Sequence, residues 1–123
     1  MNTQTLVRRI LAKVPAFTAT NVAPPGVRTT GDVLGIYSPG LPEEMLVVTA
    51  TSVMALIAGE WREIRFSDIV SVQAPSDKVE GTEIAMTLRD GTIAILTVSA
   101  SRGRFRDVYE ICRFLNRASA VNQ

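Results

Sequence analysis

Residues 83–115 read EIAMTLRDGTIAILTVSASRGRFRDVYEICRFL and hold the clearest structural signal in this chain of 123 residues. Apolar and polar side chains alternate in Glu83–Arg89 and again in Thr92–Val98, which is the period of a β-strand. The dipeptide Asp90-Gly91 between them suits the positive φ angles of a two-residue type I′ turn. The sequence therefore predicts a β-hairpin here, with at least one strand half exposed.

The second half of the same stretch has the period of a helix. Ser101 is a suitable N-cap, and the apolar residues after it recur at helical spacings. The predicted buried stripe consists of Phe105, Val108, Tyr109, Cys112 and Leu115. Phe114 falls on the opposite side of this helix, among charged residues, so the pattern predicts that it is exposed. One amphipathic helix should thus cover an end of the sheet.

Five more strand-like segments precede the hairpin. They are short apolar runs separated by Gly, Pro, Ser or Asp turns: Val33–Tyr37, Met45–Ala50, Val53–Ala58, Trp61–Phe66 and Ile69–Ala74. Together with the hairpin they make seven strands, followed by one helix. This order predicts a mainly β domain with a C-terminal α-helix over residues 32–119, and a short tail over residues 120–123.

Residues 45–58 are apolar on both faces of their two predicted strands, so both faces should be covered. One cover is the domain core. The other is the N-terminal helix, a neighbouring subunit or another partner. In the following strand, alternation turns Ile64 and Phe66 inward. Trp61 and Arg65 then point outward.

The first 31 residues are predicted to form an amphipathic helix and a linker. The helix spans Thr3–Val14 and separates an apolar arc from a basic side: the arc holds Leu6, Val7, Ile10, Leu11 and Val14, and the basic side holds Arg8, Arg9 and Lys13. Pro15 ends the helix, and an extended linker follows up to Gly31. The helix packs on the domain or on a second subunit, docks on anionic lipid, or is disordered. An organelle presequence is a further alternative.

Composition bounds the class of protein. A chain with 46% hydrophobic and 20% charged residues buries a core, and its length is that of one domain. A net charge of +1 argues against nucleic acid as a partner. The single cysteine, Cys112, cannot form an intramolecular disulfide, which favours a reducing, cytoplasmic location. No apolar run approaches the roughly 20 residues that cross a bilayer.

Residues suited to catalysis or metal binding are scarce. The chain has no histidine, and Cys112 lies in the predicted buried stripe, where a thiol is a poor nucleophile. Glu43 and Glu44 are neighbours that point to opposite sides of an extended segment, so they are interpreted as a surface pair. Asp77, Glu80 and Glu83 lack the spacing of a calcium loop. The sequence therefore predicts no enzyme, no metal and no cofactor.

Two segments resemble a known superfamily. Residues 46–56, LVVTATSVMAL, look like the second hairpin of pleckstrin-homology-like (PH-like) domains, including the bacterial PH-like and GRAM-type domains. Residues 64–72, IRFSDIVSV, look like their fourth strand turning into the fifth. The resemblance covers residues 32–118 and implies a seven-stranded antiparallel barrel or sandwich capped by the C-terminal helix. It says little about the ligand.

Phosphoinositide-binding members of that superfamily carry a basic cluster in and beside the loop between their first two strands. The corresponding stretch here, residues 37–45, has no Lys or Arg and contains Glu43 and Glu44. Because these carboxylates repel a phosphate, no specific phosphoinositide binding is expected. What the resemblance then implies is a scaffold for protein contacts.

Three functional hypotheses follow. The first is a non-catalytic PH-like binding module that acts through protein contacts, including self-association to a homo-oligomer. Its candidate interface residues are Trp61, Arg65 and Phe114, since exposed aromatics and arginines often dominate interfaces. The second is a peripheral membrane module that docks through its N-terminal helix, with Leu6, Val7, Arg8, Arg9, Ile10, Leu11 and Lys13 as the candidate residues. The third is a small inhibitor or immunity-type protein.

Overall fold

Two antiparallel sheets and two helices organise the described part of the chain. The computed structural model describes residues 2–40, 44–57, 59–74, 83–98 and 105–123. In chain order the elements are helix α1 (Thr3–Arg9), a 3₁₀ turn (Leu11–Lys13), strands β1 (Phe17–Ala19), β2 (Val33–Tyr37), β3 (Leu46–Thr49), β4 (Ser52–Ile57) and β5 (Glu60–Arg65), a second 3₁₀ turn (Phe66–Asp68), strands β6 (Ile69–Gln73), β7 (Glu83–Leu88) and β8 (Ile93–Thr97), and helix α2 (Phe105–Val121). The predicted mainly β architecture with a C-terminal helix is confirmed.

The strands pair with their neighbours in sequence. Strands β1 to β5 form one sheet in that order, and β6 to β8 form a second sheet. Among the residues that the structure describes, the two sheets do not close into a single barrel. The seven predicted strands are all present, with ends that differ from the prediction by one residue at most.

An eighth strand, β1, lies where an extended linker is predicted. It pairs with β2 in antiparallel register, with Phe17 opposite Tyr37 and Ala19 opposite Gly35. The ring of Phe17 lies against Gly35 so closely that a Cβ atom at this glycine would come within 2.1 Å of the ring. The absence of a side chain at Gly35 therefore permits β1 to join the sheet.

The N-terminal segment is part of the same core as the sheets. The Asn2 side chain caps α1 by accepting a hydrogen bond from the Thr5 backbone N–H at 2.9 Å. The predicted apolar arc is buried, at 4% exposure or less, against α2 and the inner faces of both sheets: Leu6, Val7, Ile10, Leu11 and Val14. Of the placements considered for this helix, the structure has it packed on the domain.

A segment of irregular backbone, residues 20–31, crosses the outer face of the five-stranded sheet and is called the strap here. Val27 of the strap is buried with Val33, Val47 and Met54, and Ala23 packs on the same cluster. This contact covers the second apolar face of the β3–β4 hairpin. The expected cover by the helix, a subunit or another partner is therefore wrong for this face, because the chain covers it itself.

Helix α2 buries a different arc from the one predicted. Phe114 is 1% exposed and its ring meets Phe66 edge to face, with centroids 5.7 Å apart. Tyr109, by contrast, is 42% exposed. The predicted exposure of Phe114 and burial of Tyr109 are both wrong, because the helix face that packs on the core and on Phe66 includes Phe114 and leaves Tyr109 at the edge. Val108, Cys112 and Leu115 are buried as predicted, and the expected cap Ser101 lies outside the described residues.

The β7–β8 hairpin exists, but its turn is longer than predicted. The Leu88 N–H donates to the Thr92 carbonyl at 2.9 Å, and the Gly91 N–H donates to the Leu88 carbonyl at 3.0 Å. This pattern leaves a three-residue loop, Arg89 to Gly91, with Gly91 in the left-handed region at φ 87°. The two-residue type I′ turn is therefore wrong, although the glycine serves the same need for a positive φ.

Candidate functional site

The three contact residues predicted from the sequence lie in three different environments. Trp61 is half-buried and packs on the cluster beneath the strap, whereas Arg65 is exposed at the end of β5. These two lie opposite Leu56 and Ser52 on β4. Phe114 is in the core and is not available for an external contact. The three residues therefore do not form one surface.

Hydrogen bonds attach the strap to the sheet beside Trp61. The Thr30 hydroxyl donates to both oxygens of the Glu63 carboxylate at 3.0 Å, and the Ser52 hydroxyl donates to Oε2 at 2.8 Å. Ser52 is in turn 2.8 Å from the Thr49 hydroxyl. This polar cluster connects the strap, β3, β4 and β5.

The same contacts set the charge state of Glu63. Partial burial alone would raise the pKa of this carboxyl, but the hydrogen bonds from Ser52 and Thr30 and the positive charge of Arg65 together lower it below its ordinary value. The group is therefore an anion that accepts hydrogen bonds at neutral pH. Its contacts are internal, so its role is to hold the strap.

A polar groove of about 650 Å³ lies where the start of α1 meets the end of α2. Its polar lining consists of Asn2, Thr3, Gln4, Asn21, Asp32 and Asn122. Two of these amides bond within the protein: Asn2 caps α1, and the Asn122 amide donates to the Thr3 hydroxyl at 3.0 Å and to the Ala118 carbonyl at 2.8 Å. The hydrogen bond from Asn122 to Thr3 joins the two helix ends, so these two lining residues serve the fold.

The central part of the outer face of the three-stranded sheet is different, because its exposed aliphatic side chains have no charged residue among them. It is called the uncharged sheet face here, and its residues are Val70, Ser71, Gln73, Ala85, Thr87, Ile93 and Ile95. The next row, Glu83 paired with Thr97, lies at its edge. Ile93 is 61% exposed and Val70 is 60% exposed. None of these seven side chains carries a charge, and Glu83 at the edge is an exposed acidic residue. Large aliphatic side chains grouped in this way on a β-surface are typical of contact sites.

Strand register explains how this face arises. Ser71, Thr87 and Ile93 lie side by side across the three strands, and Gln73, Ala85 and Ile95 form the next row. Their chain neighbours point inward, where Ile84, Met86 and Leu96 are buried. The alternation in residues 83–98 predicts this outward set, and its half exposure is confirmed. The sequence alone does not predict the pairing of β6 with β7, which brings Val70 to the same face.

The groups considered for catalysis are poorly placed for it. Burial raises the pKa of the Cys112 thiol to about 11, so the thiolate is scarce at neutral pH. Glu44 is 1% exposed, so its assignment to a surface pair is wrong; its neighbour Glu43 lies outside the described residues. Among described residues, no group of three or more His, Cys, Asp or Glu side chains could hold a metal ion. Of the acidic set near residue 80, Glu83 is exposed on β7, and Asp77 and Glu80 lie outside the description.

No helix in the described part of the chain is both long and apolar enough to span a membrane. Comparison with protein-family models, curated proteins and solved structures finds no match to this chain. The surfaces of the protein itself are therefore the basis for inferring its function.

Proposed function

We propose that this protein is a non-catalytic binding module of PH-like architecture that acts through protein contacts. Support for the architecture comes from the strand order. Four consecutive antiparallel strands, β2 to β5, are followed by three more, β6 to β8, and then by α2. This is the element order that the resemblance implies, with α1, β1 and the strap added in front.

The observation that carries the proposed function is the uncharged sheet face. Burial of apolar surface is the dominant favourable term in most protein association, and none of the seven residues of this face is a charged group that would have to lose its water. Val70 and Ile93 are the largest exposed apolar side chains on it. Both are branched at Cβ and lose little conformational freedom on contact.

We propose a second copy of the chain as the partner. In a two-fold dimer each residue set meets the same set on the other subunit, so a face of one sign of charge would repel itself. The seven residues of the uncharged sheet face have no such penalty, provided that Glu83 at its edge stays outside the contact. The lack of charge favours self-association over a partner selected by opposite charge. The uncharged sheet face thus replaces the β3–β4 hairpin, which the strap covers, as the proposed oligomer contact.

Light scattering coupled to size-exclusion chromatography tests this proposal. We expect a dimer for the wild type and a monomer for Ile93→Lys and for Val70→Lys, since each places a cation against its own copy. Val22→Lys is the matched control, because Val22 is 66% exposed on the strap, away from the three-stranded sheet; this variant should remain dimeric.

The competing outcome is a contact through Trp61 and Arg65, which were predicted from the sequence as interface residues. A dimer that survives Ile93→Lys but dissociates in the double variant Trp61→Ala/Arg65→Ala would move the contact to the five-stranded sheet. A wild type that stays monomeric at every concentration would contradict self-association. The inhibitor or immunity-type hypothesis has no specific observation in its favour.

A further inference from the structure

Helices α1 and α2 lie side by side and present the same sign of charge to solvent. The amide of Asn122, the residue after α2, donates to Thr3 of α1. At the other end, Lys13 of the 3₁₀ turn after α1 lines one cleft of about 290 Å³ with Arg106, Asp107, Glu110 and Arg113. The two helices are therefore antiparallel neighbours. Their exposed cations form what is called the cationic helix surface here: Arg8, Arg9, Lys13, Arg106, Arg113 and Arg117.

Three of these arginines form a row along α2. Arg106, Arg113 and Arg117 are separated by seven and four residues, so they share one face of the helix. Glu110 lies in the same row and meets Arg113 at 3.6 Å, a partly exposed pair that neutralises little. Asp107 is buried and accepts a hydrogen bond from the Tyr37 hydroxyl at 2.8 Å. The row is therefore cationic toward solvent.

Positive charge is concentrated in the two helical ends of the chain, and the rest of the chain is acidic. Residues 2–14 and 105–123 contain six cations and two carboxylates, a net charge of +4, although the complete chain carries +1, so the remaining residues carry −3. A protein with this distribution orients its helical side toward an anionic surface. The small overall charge conceals the patch.

We propose that the cationic helix surface binds the surface of an anionic lipid bilayer. Six exposed Lys and Arg side chains on two adjacent helices suit an extended, negatively charged plane. Tyr109 and Val121, at 42% and 40% exposure on α2, add apolar contacts at the level of the headgroups. A duplex nucleic acid would gain nothing from these apolar groups.

The mode of binding differs from the one that the sequence suggests. An amphipathic helix inserts its apolar side into the bilayer, but Leu6, Ile10 and Leu11 of the N-terminal segment are already buried in the core. The folded protein therefore adsorbs through its cations, without inserting α1. The arginines of α2, which the sequence-based hypothesis omits, are as important as those of α1.

Vesicle sedimentation tests the proposal with two variants of equal charge. The test variant is Arg106→Gln/Arg113→Gln/Arg117→Gln, and the control is Arg28→Gln/Arg62→Gln/Arg65→Gln, which removes three exposed cations outside both helices. The probes are vesicles of phosphatidylcholine alone and vesicles with about 30% phosphatidylserine, in about 0.05 M and about 0.5 M salt. Circular dichroism checks that both variants fold.

We expect the wild type to bind only the anionic vesicles and only at low salt. At roughly 1 kcal/mol per cation, the test variant should bind on the order of 100-fold more weakly, and the control should stay within a few-fold of wild type. Equal losses in both variants, no binding by the wild type, or salt-resistant binding would each overturn the proposal. So would selective binding of a labelled duplex DNA in place of vesicles. Because the uncharged sheet face shares no residue with this surface, these outcomes are independent of the dimer test.

Discussion

Among single residues, Glu63 joins three segments of the chain. It lies on β5 and accepts hydrogen bonds from Thr30 of the strap and from Ser52 of β4. Its carboxylate thus holds the strap over the apolar cluster that contains Met54 and Trp61. The consequence is a contribution to stability that depends on pH.

The sign of that dependence follows from the lowered pKa of Glu63. A carboxyl with a lower pKa in the folded state contributes stability above its unfolded pKa, about 4.3, and this is lost as the pH falls through the folded pKa. Glu63→Gln should lower the free energy of unfolding by about 1 kcal/mol at neutral pH, because the group is partly exposed. Urea denaturation at several pH values measures this.

The difference between Glu63→Gln and wild type should shrink as the pH falls below about 4.3, the pKa of an unfolded glutamate. Glu60→Gln is the control, since Glu60 is exposed on the same strand and no hydrogen bond to its side chain is described. A difference that stays constant with pH would show that the carboxylate charge does not hold the strap.

Some single residues could not be placed from sequence. Glu44 stands beside Glu43 in a turn-like segment, and only tertiary packing buries it. Phe114 lies among charged residues in the helical projection, yet Phe66 supplies an aromatic partner for it. In both cases the residues that bury the side chain are distant in sequence, so the local pattern wrongly predicts that it is exposed.

At the scale of elements, helix α2 offers a direct comparison of two orientations. If the helix buries the arc around Phe114, truncating that ring should cost far more than truncating Tyr109. We expect Phe114→Ala to lower the free energy of unfolding by about 3 to 5 kcal/mol and Tyr109→Ala by less than about 1 kcal/mol. Thermal or urea unfolding measures both, and the reverse order would support the arc predicted from the sequence.

Elements with a strong local period were predictable, and those without one were not. Alternation and turn residues gave the ends of β2 to β8 to within one residue. β1 has three residues and follows Pro15 closely, so no period could be recognised. The strap has no regular structure at all, and its cover of Val47 and Met54 depends on hydrogen bonds and packing across the sheet.

At the scale of the whole molecule, the chain covers its most apolar hairpin and exposes two other surfaces within the described residues. One is the uncharged sheet face around Ile93, and the other is the cationic helix surface around Arg113. The sequence predicted only a part of each, the outward residues of residues 83–98 and the basic side of the N-terminal helix, because each surface combines segments that are distant in the chain. β6 joins β7 and β8 in the first, and the two ends of the chain meet in the second.

The most direct test of the central claim is to map the contact surface by two-dimensional ¹H–¹⁵N NMR over a dilution series. We predict that concentration-dependent shifts concentrate on β6, β7 and β8, around Ile93. The indole N–H signal of Trp61, the chain's single tryptophan, should not move. Shifts centred on Trp61 and β5, or spectra that do not change with concentration, would contradict the account.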